Sequence, residues 1–545
     1  MLSTRALVLV ALVTVSLVAA PLSVAATPGN QYAAGDVTDA SVPVTSLEGT
    51  YVGDDDEPST NGTIGYVEGI RYDDELPVDD RDDAVVEEDE LETVVYRSMA
   101  RVEVLRELPF EGDVPVELLS REEFREENDR SFENLSEEEH LFENARFETL
   151  FMVDREADAV EEYRGLYGGA VVGYYDPADD RVVLVSESAD PDALEVDEVV
   201  LAHELLHALQ DQHFDLQRYD RETRDQANAK NGLIEGDAVW IETEYEERCA
   251  EEWACLLPAD APSEDPDEEF DGTPSEFNWG IYFTLYQPYS DGPAYVEYLL
   301  EDDGWDAVNA AYDDPPASTS EVIRPGEERE PVAIEFEDTS SDDWGLLEVD
   351  NETARDSFGE AAMASMFAHG ALDGPTGPSV VSREEFLATD EDGYIQTIEY
   401  DQPYTDGWAG DEFVVYVTDE ETIDESGSVW QTEWTSADDA EAFAEGYLEL
   451  LGLKGASPVD DYRDTFVIDT AFPGAYYVGV DGEAVTIVRA PTVDDLSEIR
   501  DGAAPDGEDL LDFEVHEIET DDEVPGFGVT VALLALLVVA LLFRR

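Results

Sequence analysis

The stretch Glu198-Val-Val-Leu-Ala-His203-Glu204-Leu-Leu-His207-Ala-Leu-Gln-Asp-Gln-His213 decides how the rest of the chain is read. It carries the pattern His-Glu-x-x-His within an amphipathic helical pattern. Residues four apart on a helix stand roughly 40° apart and about 6 Å along its axis, so His203 and His207 can share one metal ion. Glu204 sits one step round, where it can reach a water at that metal without being a ligand itself. Ala202, Leu205, Leu206 and Leu209 supply the buried stripe. With 6 His in 545 residues, chance would place on the order of 0.01 such motifs in the chain, so the pattern carries information.

A metal held this way needs a third protein ligand. His213 follows His207 by six residues, but Gln210 stands where a glycine would have to turn the chain out of the helix. If the helix continues, His213 points roughly 240° away from His207 and cannot join it. The other candidate is Glu235, in Gly232-Leu-Ile-Glu235-Gly236-Asp-Ala238, on a second helical stretch ending near residue 247. Its small neighbours would let this helix approach the first closely. Glu235 is therefore the expected third ligand. Asp237 and Glu242 are the candidates for orienting the histidine rings.

Composition bounds the setting. The chain has 136 Asp+Glu against 28 Lys+Arg, a formal net charge of −108. Such a surface repels nucleic acid and anionic lipid, which makes both poor candidates as partners. The hydrophobic fraction of 43% and aromatic fraction of 10% argue for folded domains rather than disorder. Only Lys230 and Lys454 are lysines. An acidic surplus with lysine almost absent resembles proteins of haloarchaea. In molar salt the Debye length falls to about 3 Å and screens the self-repulsion.

Both ends read as export signals. Arg5 precedes an apolar run over residues 6–20, and Ser23-Val24-Ala25 offers a cleavage site, so residues 1–25 are expected to be a secretory signal peptide. No Arg-Arg pair precedes the run and no Cys follows it, which favours the general secretory route over the twin-arginine route or a lipoprotein. Pro525-Gly526-Phe527, the apolar residues 528–543 and Arg544-Arg545 close the chain. This run just suffices to span a bilayer, basic end inside. The tail resembles the archaeal sorting signal that an archaeosortase removes while attaching the protein to a lipid. A plain transmembrane anchor would leave the same topology, with the body outside. In that oxidising compartment Cys249 and Cys255 are expected to form a short-loop disulfide. Asn61, Asn134 and Asn351 open glycosylation sequons.

Between these ends, residues 26–82 read as an acidic linker or surface segment without apolar period. Helical spacing begins at Val85, followed by a strand candidate over residues 114–120 and acidic helical patterns over 121–144 and 147–167. A hairpin follows: residues 170–175, the turn 176–180 and residues 181–185. Tyr174 and Tyr175 in it are candidates to line a cleft, against the alternative of plain strand packing. Helical patterns over 279–300 and 305–312 would complete a mostly helical domain over residues 83–335. Residues 340–500 read as a smaller α+β domain: a helix over 360–367, strands over 412–417 and 429–434, a helix over 437–451, and a hairpin turning at Asp481-Gly482. His369 reads as structural more readily than as an oxyanion stabiliser. Residues 501–524 read as an acidic spacer before the tail.

Gly173-Tyr-Tyr-Asp-Pro177, the run from His203 to Phe214, Glu235-Gly-Asp-Ala238 and Pro315-Pro-Ala-Ser-Thr-Ser-Glu321 together resemble a family of haloarchaeal surface proteins similar to gluzincin metallopeptidases. The resemblance covers residues 85–500. It implies an α+β, zincin-like fold in which a strand runs beside the motif helix as the upper wall of a peptide cleft. It also implies Zn2+ held by His203, His207 and Glu235, as in thermolysin-like enzymes. One departure is visible: the acidic residue such enzymes carry one turn after the Glu is Val239 here.

The expected chemistry is metal-assisted hydrolysis of a peptide or protein substrate, with Glu204 as general base and then acid. The competing expectations are a non-catalytic surface protein on the same scaffold and an adhesion or envelope protein. Glu204 speaks against the first, because a structural metal site has no use for a Glu between its histidines; the second fits the anchor and charge but leaves the motif unexplained.

Overall fold

The computed structural model describes residues 63–81, 84–132, 135–186, 194–258, 278–327, 331–372, 378–389 and 395–513. The expected signal peptide, the sorting tail, Asn61 and Asn134 lie outside these residues. Asn351 is exposed, in the turn between two short strands.

The chain is a mixed α+β structure. Helix α1 (Glu88–Arg106) buries Val94, Val95, Met99, Val102 and Leu105, the three- and four-residue spacing that gives an amphipathic helix one apolar face. Helices α2 (Arg121–Phe132), α3 (Glu137–Thr149) and α4 (Ala159–Ala170) follow. The single helical pattern expected over 147–167 is thus two helices, because Asp158 accepts from Val160 N and Glu161 N and starts a new one. A three-stranded sheet places Arg181–Ser186 in the middle, parallel to Val116–Ser120 and antiparallel to Gly173–Asp176. Gly173–Asp176 and Val116–Ser120 are its two edge strands.

Helix α5 (Glu198–Phe214) starts at Asp197, whose side chain caps Val199 N and Val200 N. Leu201, Ala202, Leu205, Leu206, Ala208 and Leu209 are all buried, so α5 is enclosed on more than one side. Glu198, at its first turn, receives Arg97, Arg101, the Tyr245 hydroxyl and Leu256 N, a fully buried network that ties α5 to α1 and to helix α6 (Arg224–Glu251). Truncating one partner of such a network strands the opposite charge, so it fixes the angle of α5. Helices α7 (Trp279–Asp303), α8 (Trp305–Asp313) and α9 (Thr319–Ile323) complete this half. Cys249 and Cys255 are joined at the end of α6, with Cα atoms 5.6 Å apart.

The second half is built on an eight-stranded antiparallel sheet whose long strands are Trp408–Val417, Ser426–Trp434, Ala484–Ala490 and Gly474–Asp481. One face packs on α10 (Gly359–Ala368) and the helix Ala437–Leu453, the other on the helix Val493–Ile499. Buried Asp411 accepts from Ser357, Phe358 N, Gly359 N, Trp408 and Trp430, locking α10 to the sheet.

Three expected boundaries move. Residues 63–81 belong to the fold rather than to a linker: Leu76 and Val78 are buried and Asp79 pairs with Arg97. Residues 501–513 do too, since Ala503 and Ala504 are buried and Phe513 packs on Phe466. The division near residue 335 is not a gap between separate cores. Phe142, Phe147, Leu150 and Ile281 share one apolar cluster with Phe413, Trp430 and Tyr447.

Candidate metal centre

His203, His207 and Glu235 meet between α5 and α6, each 2% exposed or less. Glu235 Oε2 lies 3.4 Å from His203 Nε2 and 3.3 Å from His207 Nε2. None of these three atoms makes a hydrogen bond among the described residues. Zinc at about 2.0–2.1 Å from N and O ligands in a tetrahedron separates them by about 3.3–3.4 Å. The spacing therefore fits a shared ion, and the donor set of two imidazoles and one carboxylate fits zinc.

The far sides of the rings are held. His203 Nδ1 is 2.8 Å from Glu242 Oε2, and His207 Nδ1 is 2.9 Å from Gln210 Oε1. Gln210 Nε2 donates to Ile234 O and to Asp237 Oδ2, which turns its oxygen toward His207. Both partners being acceptors, each ring carries its proton on Nδ1 and presents the Nε2 lone pair to the centre. Asp237 is in turn fixed by Arg106 and by the Tyr312 hydroxyl. Glu242 and Gln210 thus do the orienting work for which Val239 is chemically unfit.

Electrostatics point the same way. Burial opposes a charge on His203, but the carboxylates of Glu235 and Glu242 outweigh it and hold its pKa well above the ordinary imidazole value. His207 is raised as well, burial again being overcome by Glu235. Burial alone would raise Glu235; the two histidines instead draw its carboxyl down to about 2. The pocket holds a carboxylate ionised beside positive charge, a place where a metal cation would substitute for the ring protons.

Glu204 is fully buried, one residue from the candidate ligand His203. Gly173 of the edge strand abuts it: a Cβ there would stand 3.1 Å from Glu204 Oε1. A side chain there would crowd Glu204 and Leu184, and glycine lets the strand lie this close to the motif helix without displacing them. Tyr175 points to the α5 side but bonds Asp211 at 2.9 Å and is buried in the core. Tyr174, on the opposite face, packs on Phe124. Strand packing accounts for both tyrosines, and Gly173 is the residue of this strand that meets the centre. His213 turns away from the centre to the loop after α1, with Nε2 2.8 Å from Pro109 O, because α5 continues unbroken through Phe214. His369 is buried next to Lys454 and the Phe151 backbone, outside the centre. The glycines of α6 serve other neighbours than α5: Gly236 faces Gly292 of α7 and Gly232 faces Val322 of α9, while Ala238 sits in the core shared with α5.

Three residues near the centre escaped the motif reading. Tyr289 reaches from α7 toward Glu235 and Glu204; burial first, and those two carboxylates next, keep its hydroxyl protonated far above the ordinary tyrosine range. Asn231, one helical turn before Glu235, has a buried Oδ1 without a donor among the described residues. Arg221, in the connection from α5 to α6, has a buried Nε and Nη2 without an acceptor among them. Helical phase relative to Glu235 could have flagged Asn231. Tyr289 and Arg221 depend on tertiary packing.

Comparison with protein families matches residues 347–500 to a domain of unknown function, DUF8575, and residues 524–545 to the PGF-CTERM motif. The first covers the antiparallel sheet and its helices, not the metal centre. The second defines the tail as an archaeosortase-type sorting signal. This is a cell-surface protein anchored through its C-terminal tail. No curated protein and no solved structure matches the chain. Among the described residues no helix is long and apolar enough to cross a membrane.

Proposed function

We propose that the protein is a zinc-dependent, gluzincin-like peptidase displayed on the surface of a halophilic archaeon. The observation that carries this reading is the convergence of His203 Nε2, His207 Nε2 and Glu235 Oε2 at tetrahedral spacing, with Glu204 beside them. A zinc ion held by these three would act as a Lewis acid and lower the pKa of a nearby water. Glu204 takes a proton from the attacking water and returns it to the leaving amine. Tyr289, kept protonated by burial, is the hydroxyl donor for the oxygen that gains charge. Gln210 and Glu242 hold the rings in register, and the open edge of Gly173–Asp176 offers main-chain groups to an extended peptide. The strand beside a motif helix and the Glu from the following helix support the zincin comparison.

The burial of all four residues favours a second reading, a structural metal that pins α5 to α6 with no substrate reaching it. Bound zinc and casein hydrolysis in molar salt, measured for the wild type and for Glu204→Gln, separate the two. The peptidase reading expects zinc in both proteins and hydrolysis about 100-fold or more slower in Glu204→Gln. Zinc in both with hydrolysis in neither leaves the structural reading.

A further inference from the structure

Arg221 stands out by what it lacks. The chain carries 136 acidic residues, and the buried arginines Arg97, Arg101, Arg106, Arg121, Arg146, Arg324 and Arg489 each hold a carboxylate or a backbone carbonyl. Arg221 is partly exposed as a residue, yet its Nε and Nη2 are buried and meet no acceptor among the described residues. These two donors lie along one edge of the guanidinium, the edge whose spacing matches both oxygens of a carboxylate. A buried donor left unmet is costly, so a protein rich in acceptors gains by supplying one unless the partner comes from outside.

Its position says where that partner sits. Arg221 lies between the end of α5 and the start of α6, the helices that carry the three candidate ligands. Burial works against its charge, and Glu235 is the carboxylate whose field favours it most. Lys230, one of two lysines in the chain, is nearly buried and close enough for Arg221 to repel its charge. Glu235 is already committed to the two histidines, so it neutralises Arg221 at a distance without satisfying its donors. Asn231, on the Glu235 face of α6, adds a buried amide oxygen open to a substrate N–H.

We propose that Arg221 binds a substrate carboxylate beside the metal centre, so that the preferred substrates are peptides presenting a carboxylate close to the bond cleaved. The carboxylate comes from a peptide C-terminus or from an Asp or Glu side chain. This deepens, and rests on, the peptidase reading above. It reverses the expectation from net charge alone: the acidic surface repels such peptides at low salt, whereas molar salt screens the surface and leaves a short-range buried contact intact.

Binding calorimetry of short N-acetylated peptides to the zinc-treated, full-length Glu204→Gln protein in molar salt tests this. Three peptides differ only in a free C-terminal carboxylate, a C-terminal amide, or an amide with Glu in place of Gln. At least one carboxylate peptide is expected to bind on the order of 10- to 100-fold more tightly than the plain amide. Which one does so identifies the source. Adding Arg221→Gln is expected to abolish the difference. Arg221→Lys, which keeps the charge without the fork, retains part of it and shows that the fold survives substitution. Equal binding of all three peptides, or a preference that persists in Arg221→Gln, overturns the proposal. Zinc content and casein hydrolysis of the parent protein are recorded alongside. A carboxylate preference without hydrolysis removes the peptidase reading and keeps the site; hydrolysis without preference does the reverse.

Discussion

Gln210 shows how much a single residue carries at this centre. It keeps α5 helical past His207, and its amide is the only link between the His207 ring and the Asp237–Arg106–Tyr312 cluster among the described contacts. Partners of this kind set the tautomer and basicity of a metal-binding imidazole, and losing one costs about 10- to 100-fold in metal affinity. Gln210→Ala and Glu242→Ala are each expected to weaken zinc binding by that factor with the helical signal in circular dichroism unchanged. Competition with a chelator of known affinity measures it; unchanged affinity in both would show that the rings need no such support. The spacing of His203, Glu204 and His207 was readable at once, because four residues is one helical turn. Glu235 was readable as a carboxylate on the next helical stretch, although the glycines beside it face α7 and α9 rather than α5, and Gln210 was readable from the glycine it replaces. The orienting role of Glu242 was visible only as an acidic residue seven positions from Glu235, nearly in phase on the same helix. The pairing of Gly173 with Glu204, and the reach of Tyr289 and Arg221, come from tertiary packing that no local spacing encodes.

At the scale of elements, the centre depends on how α6 crosses its neighbours. Gly236 and Gly292 meet backbone to backbone: a Cβ on Gly236 would stand 2.3 Å from Gly292 O. Backbone there has no soft rotamer to yield, so α6 or α7 must shift. Gly236→Ala is expected to lower stability by about 1–3 kcal/mol and to weaken zinc binding, because Glu235 is the adjacent residue. Denaturant unfolding and the same chelator competition check both effects. Full zinc affinity would show that α6 relaxes without moving Glu235. Small residues near Glu235 do signal a close helix crossing, but composition does not say with which helix. Strand and helix positions in residues 340–500 were more legible, since alternating strands and the Asp481-Gly482 turn are local signals, and the observed strands Gly474–Asp481 and Ala484–Ala490 sit where that turn places them.

Across the whole molecule, the two halves are joined by buried polar contacts as well as by a common core. Asp225, in the first turn of α6, accepts from Thr319 N and Oγ1, while its own N–H donates to Ser357 O just before α10. Burial first, opposed by the Thr319 hydrogen bonds and aided by Asp411, lifts its carboxyl from 3.8 to about 7. The folded state therefore keeps a proton that the unfolded chain releases near pH 4. Asp225 contributes stability in full below about 3.8 and loses it as pH rises to about 7. Asp225→Asn preserves an acceptor oxygen and is expected to flatten the fall in unfolding free energy across that window at fixed molar salt. An unchanged slope would assign the pH dependence to other carboxyls. The shared core and these contacts explain why residues 63–81 and 501–513, which composition sets apart as linker and spacer, belong to the folded body. Acidic surface residues dominate those stretches, and the few apolar anchors among them, such as Val78 and Phe513, are too sparse to form a period.

The proposed function stands on one zinc ion held by His203, His207 and Glu235. Metal analysis of the full-length protein, purified and dialysed in molar salt, tests it most directly when wild type and Glu235→Ala are compared. One zinc per chain is expected in the wild type and little or none in Glu235→Ala at equal folded fraction. No zinc in the wild type, or a full equivalent retained without Glu235, would contradict it.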